Sequence, residues 1–302
     1  MTTPSNAVPE SLDTQRVAPA VLSATRPLYW SIRRELWENR SIYIAPLAVA
    51  AVFLVGFLIS LVGLPRKLRT LSALDAAHQH QAVAGLYDVA AGLILGAAFI
   101  VGLYYCLEAL HGERRDRSIL FWKSLPVSDL TTVLAKASIP VILQLLAWAI
   151  MVVTYLIMLL LSTVVVLGSG QSAATLWTQV SPVEMSLMLL YHLVSVHTLW
   201  YAPIYAWLLL VSAWARRAPF LWAFLPPFVI GVAEKMAFHT SHFANWLGYR
   251  ISGPQAFNFS AHGVTTLALG EFLSTPGLWI GLVFAAVFLA AAVRLRRYRE
   301  PI

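Results

Sequence analysis

The 302-residue chain is 59% hydrophobic and only 12% charged, with a mean hydropathy of +0.72. A soluble domain carries about a quarter charged residues, so this chain cannot coat a water-facing surface, and lipid is the solvent for most of it. The single cysteine, Cys106, excludes an intramolecular disulfide framework, and the net charge of +7 does not mark a nucleic-acid binder, because the basic residues lie beside apolar segments rather than in one patch.

Residues 1–24 are polar, contain Pro4, Pro9 and Pro19, and lack the apolar stretch of a cleavable signal. They are expected to form a disordered cytoplasmic tail. Residues 25–40, TRPLYWSIRRELWENR, predict an interfacial amphipathic helix. Thr25 suits its cap and Pro27 its first turn. Leu28, Ile32 and Leu36 recur at i+4, with Trp37 beside them and Arg33, Arg34 and Arg40 on other faces. Such a helix serves either as a juxtamembrane anchor or as an elbow that moves with the spans.

The predicted fold is all-α, with six transmembrane helices within 41–293. A helix needs roughly 20 apolar residues to cross the hydrocarbon core. Segments 41–64, 89–107, 137–168, 185–215, 218–233 and 272–293 meet or approach that length. The fifth is interrupted by Pro226-Pro227, which are expected to break or kink it. Its freed backbone groups then require packing inside the bundle rather than against lipid. Of the 21 basic residues, only Arg66, Lys67, Arg69, Lys235 and Arg250 fall on the side away from the N-terminus, leaving 16 beside it. The positive-inside rule therefore places both termini in the cytoplasm, although Arg66, Lys67 and Arg69 dissent locally. Residues 294–302 form an Arg-rich cytoplasmic tail.

The loop at 111–136 is the most charged stretch, yet Ile119, Leu120, Phe121, Trp122 and Leu125 lie in its middle. A solvated loop does not normally display five large apolar side chains together. A patch of this kind, rimmed by Glu113, Arg114, Arg115, Asp116 and Lys123, suits docking to a protein partner. Pro126 then stops the helix, and Ser128 or Asp129 is placed to cap the next.

This sequence, GERRDRSILFWKSLPVSD after a second span, resembles the first cytoplasmic loop of permease subunits of type-2 ATP-binding-cassette (ABC) transporters. In that family the loop is a coupling helix seated in a groove of a cytoplasmic ATPase. The interfacial helix, the six-span layout and the long segment before the last span also resemble the family. One departure is Arg117-Ser118, where family members often have glycine-threonine. The resemblance implies a non-enzymatic transport subunit of an exporter in the inner (plasma) membrane. It also implies a second copy of the chain and two copies of a separate ATPase that holds ATP and Mg. The absence of a GxxxxGK[ST] phosphate-binding loop accords with this, and no cofactor of the chain's own is expected. Its coupling residues would be Glu113, Arg114, Arg115, Asp116, Ile119, Phe121, Trp122 and Lys123.

Segment 234–271, with His239, His242, His262 and Pro254, is too apolar for a free loop. The family resemblance implies that it forms short outer helices between the fifth and sixth spans. His239 and His242 share a helical face, but no HExxH accompanies them and no metal site is predicted. Glu108, His192 and His197 are candidates for a membrane pathway, because ionisable groups within spans are costly. Two other classes compete with the transport subunit. A membrane-embedded enzyme requires a converging nucleophile, base or metal, which the scattered histidines do not supply. A proton-coupled carrier leaves the apolar patch of the 111–136 loop unexplained.

Overall fold

Thr25 begins the first ordered helix, α1 (Thr25–Glu38), and the chain turns through Asn39 and Arg40 into α2 (Ser41–Leu61). The computed structural model describes residues 25–64, 66, 70, 76–124, 127–170, 172–179, 181–253 and 269–299. The expected 1–24 tail, Leu125-Pro126, and residues 254–268 with His262 lie outside the described residues. From α2 the chain continues through α3 (Ala76–Glu108), the short α4 (His111–Arg115) and α5 (Ile119–Ser124), and the long α6 (Asp129–Gly168). Then come α7 (Ala174–Gln179), α8 (Pro182–His192), a π-helical segment (Leu193–Trp200) and α9 (Ala202–Trp214). The described chain closes with α10 (Pro219–Phe238), α11 (His242–Ser252), α12 (Leu269–Ser274) and α13 (Pro276–Tyr298). Its regular structure is all helical among the described residues.

Among the described residues, five helices are long and apolar enough to cross a membrane, and the bent pair of α8 with the π segment and α9 adds another if counted as one span. The chain is a multi-pass membrane protein. Lipid tails are as apolar as leucine, so the helices associate through close van der Waals packing rather than a hydrophobic gain. Small residues accordingly lie at the contacts: Ala90, Ala91 and Ala98 of α3, Ala147 of α6, and Ala206 and Ala213 of α9 are all buried.

One span has an added bend, and one expectation needs correction. Segment 185–215 is not one straight helix but bends by 45° at Tyr201. Pro203 has no N–H to donate to the carbonyl four residues back, so the helix stops and restarts there. The Tyr201 amide instead reaches the Val196 carbonyl at 3.0 Å, closing a wide turn. The fifth apolar segment is the opposite case, since α10 runs unbroken through Pro226 and Pro227. Pro227 leaves the Ala223 carbonyl without its helical donor, and the Trp207 indole Nε1–H supplies one at 3.1 Å. With that carbonyl satisfied from α9, α10 need not be enclosed. Phe220, Leu221, Phe224, Phe228 and Val229 are exposed along it. A third, smaller difference is that residues 294–298 continue the last helix rather than starting a tail.

One end of the bundle holds a cluster of buried polar residues. α1, the C-terminal ends of α3, α9 and α13, and the N-terminal end of α6 meet there through contacts among Glu35, Glu113, Lys136, Ser212 and Arg296. The short helices α4 and α5 lie on this face.

Candidate functional site

Hydrogen bonds to α9 fix the loop to the bundle. The amides of Leu110 and His111 both donate to the buried Ser212 hydroxyl of α9, at 3.0 and 2.9 Å. Arg114 reaches the carbonyls of Ala213 and Ala215, at 2.8 and 3.2 Å, and so caps the C-terminal end of α9. Between α4 and α5 the chain turns at Arg117, whose φ of 57° lies in the left-handed region that favours glycine. After α5, Ser128 accepts the Thr131 amide at 3.1 Å and starts α6.

Beneath the loop lies a desolvated ion network. Glu113 of α4 meets Lys136 of α6 at 3.1 Å, Arg34 of α1 at 3.4 Å and Arg296 of α13 in a close hydrogen bond. Lys136 also binds Glu35 at 2.8 Å, Arg34 lies 2.6 Å from that same carboxylate, and Tyr105 donates to it at 2.8 Å. Arg296 completes the set, with Nε in ionic contact with Asp129 at 3.2 Å. Glu35, Glu113 and Asp129 thus balance Arg34, Lys136 and Arg296 in the inner part of the cluster, and the contacts bolt α1, α4, α6 and α13 together. The exposed Glu38 lies 3.6 Å from Arg34 at the cluster's edge.

Burial would push the Glu35 carboxyl up, but Lys136, Arg34 and the Tyr105 hydroxyl outweigh it and hold it below the usual carboxylate range. A depressed folded value stabilises the fold fully above the unfolded carboxylate range. That stabilisation is lost as pH falls through the lower folded value. Acid titration of thermal stability should therefore show a falling limb that flattens in Glu35→Gln. An unchanged limb in the variant would place the acid transition elsewhere.

The sequence-predicted coupling residues divide into two groups. Glu113, Arg114 and Ile119 are buried and face the bundle. Phe121 is 60% exposed, and its neighbour Leu120 is 59% exposed. Arg115 and Asp116 are exposed and paired at 3.1 Å, and the Lys123 ammonium donates to the Arg297 carbonyl at 3.3 Å. Trp122 is half-buried with the Arg34 guanidinium 3.7 Å over its ring, which joins α5 to α1. The surface therefore carries a small apolar knob between charged flanks, above an ionic base.

The pathway candidates also separate. Glu108 lies at the loop face, bound to Arg115 at 2.8 Å. His192 and His197 lie inside the bundle, their rings 5.5 Å apart. His197 adjoins Phe99 and Tyr201, and Phe99 adjoins Tyr205. Gln144 and Tyr205, absent from the sequence-derived set, belong to the same region. Gln144 was detectable as the single amide between Lys136 and Gly168. Glu35 was not, because a glutamate next to two arginines on an interfacial helix looks solvated.

At the far end, the Glu234 carboxylate accepts from the amides of His242 and Phe243, at 2.7 and 2.8 Å, and starts α11. Arg250 of α11 is buried against the Trp200 ring, and its Nη2 donates to the Gly277 carbonyl at 2.8 Å. His239 and His242 are exposed, and no group of three metal-ligating side chains occurs among the described residues. No family model matches the chain, and no curated protein or solved structure matches it either. The candidate site rests on its geometry: an exposed apolar knob rigidly tied to the ends of the apolar helices.

Proposed function

We propose that the chain is the permease subunit of an ABC exporter, with six spans, both termini in the cytoplasm, and α4–α5 as the element that docks to a separate ATPase. The observation that carries this is Leu120 and Phe121 standing exposed on a short helix whose underside is braced by Glu113 to α1, α6 and α13. Large aromatic and aliphatic side chains of this kind form the centre of protein interfaces. Arg115, Asp116 and Lys123 flank them and would guide encounter. The left-handed turn at Arg117 supports the reading further, since glycine is common there in the resembled family. The bent pair α8–α9 counts as one of the six spans. ATP and Mg would be held by the ATPase, and a second copy of this chain would complete the pathway.

Work in such a complex would pass from the ATPase to the knob, then through Glu113 and Arg114 into the helix ends. The test is capture of an ABC ATPase coexpressed with the chain and solubilised with it. Leu120→Ala/Phe121→Ala should insert normally, because neither residue lies in a span. It should lose at least tenfold in ATPase capture, since truncating an interface anchor commonly costs about 2 kcal/mol or more. Arg115→Ala should lose less. Wild-type capture and transport by the double variant would defeat the proposal and favour a carrier.

A further inference from the structure

The loop face does not account for a second polar region inside the bundle. Phe99 on α3 lies nine residues before Glu108, and Tyr205 on α9 lies nine before Trp214. At 1.5 Å per residue both stand about 14 Å from the loop-side helix ends, near the middle of a hydrocarbon core about 30 Å thick. Here Gln144 is 1% exposed, and neither its amide nitrogen nor its amide oxygen has a hydrogen-bond partner. The Tyr205 hydroxyl lies close enough to the Gln144 amide to interact with it, but the two make no hydrogen bond of normal geometry, and His197 Nδ1 is unpartnered as well. Orphaned polar atoms at this depth each cost free energy that a fold without a use for them would shed by substituting leucine or phenylalanine.

We propose that Gln144, Tyr205 and His197, walled by Phe99 and Tyr201, recognise an uncharged amphiphile carrying a hydrogen-bonding group on an apolar or aromatic body. The amide and the phenol each donate and accept, which suits a hydroxyl or carboxamide. The rings supply apolar walls, with Phe99 5.3 Å from Tyr201 and 6.2 Å from Tyr205. None of these five residues carries a fixed charge to pair with a charged ligand, whose desolvation at this depth would go uncompensated. The π-helical segment and the bend at Tyr201 form one wall, so a change in that bend would open the site. That this ligand is the exported substrate rests on the permease reading; its binding does not.

The test uses the full chain in lipid nanodiscs without any ATPase, so its outcome is independent of the ATPase-capture result. The photoreactive probe is 4-benzoylbenzamide, compared with its trimethylammonium and carboxylate counterparts. Saturable labelling of peptides bearing Phe99, Gln144 or 197–205 is expected, with the charged probes at least about tenfold weaker. Gln144→Leu and Tyr205→Phe should each reduce labelling about fivefold. Gln144→Leu should also melt no lower than the native protein, because it removes orphaned atoms rather than a made bond. Unsaturable labelling, equal labelling by a charged probe, undiminished labelling of the variants, or a lower melting temperature in Gln144→Leu would each overturn the proposal.

Discussion

Glu113→Gln is expected to destabilise the protein by about 3–5 kcal/mol, the range for removing one member of a buried ionic group. The neutral amide still fits the space, so packing is retained and the loss is electrostatic. It leaves Arg296 and Lys136 buried with a surplus of positive charge, since Glu113 touches both and Arg34 as well. Glu108→Gln is the control. Its carboxylate pairs at 2.8 Å with Arg115, an exposed side chain, and solvent-screened pairs of this kind contribute little to stability. Thermal or denaturant unfolding in nanodiscs should therefore separate two substitutions of identical chemistry five residues apart. Equal effects would mean that water screens the Glu113 cluster.

A second large effect is expected from the opposite end of the bundle. A Cβ built on Gly281 would overlap Arg250 Nη2 and lie 2.7 Å from its Cζ, so Gly281→Val cannot coexist with the guanidinium in its seat. Overpacking commonly costs about 1–3 kcal/mol, and here it also breaks the bond to Gly277 and the stacking on Trp200. The expected result is a loss of about 1–3 kcal/mol, with the guanidinium driven from its seat and α11 loosened from α13. Trypsin added from the Arg250 side should then cleave after this residue, which is buried in the native protein. If Gly281→Val resists trypsin as well as the native protein does, the seat of Arg250 does not hold α11.

The chain's broad organisation was legible because hydropathy and capping act locally. Runs such as 41–64 and 272–293 need no partner to declare themselves, and Ser128 caps α6 as its position before Asp129 implies. What was not legible depends on neighbours distant in sequence. Glu113 and Arg114 sit in a charged run that resembles a solvated loop, and their inward direction follows from Ser212, 101 residues away from His111. Lys136 and Glu35, also 101 residues apart, give no local sign that they meet. The bend at Tyr201 had a local signal in Pro203 that was outweighed by the unbroken apolarity of 185–215. Pro226-Pro227 carried the same signal and misled, because its remedy lies on the preceding helix.

That remedy bears on how the protein is made. Trp207 precedes Ala223 by 16 residues, so the indole has already left the ribosome when the proline-bearing helix follows it. The α9–α10 hairpin carries its own donor for the carbonyl that Pro227 strands. It can therefore partition into lipid as a unit during synthesis, before α13 exists to pack against α9. A carbonyl left bare when α10 inserts alone is paired when α10 inserts second, and the order of translation supplies that sequence of events.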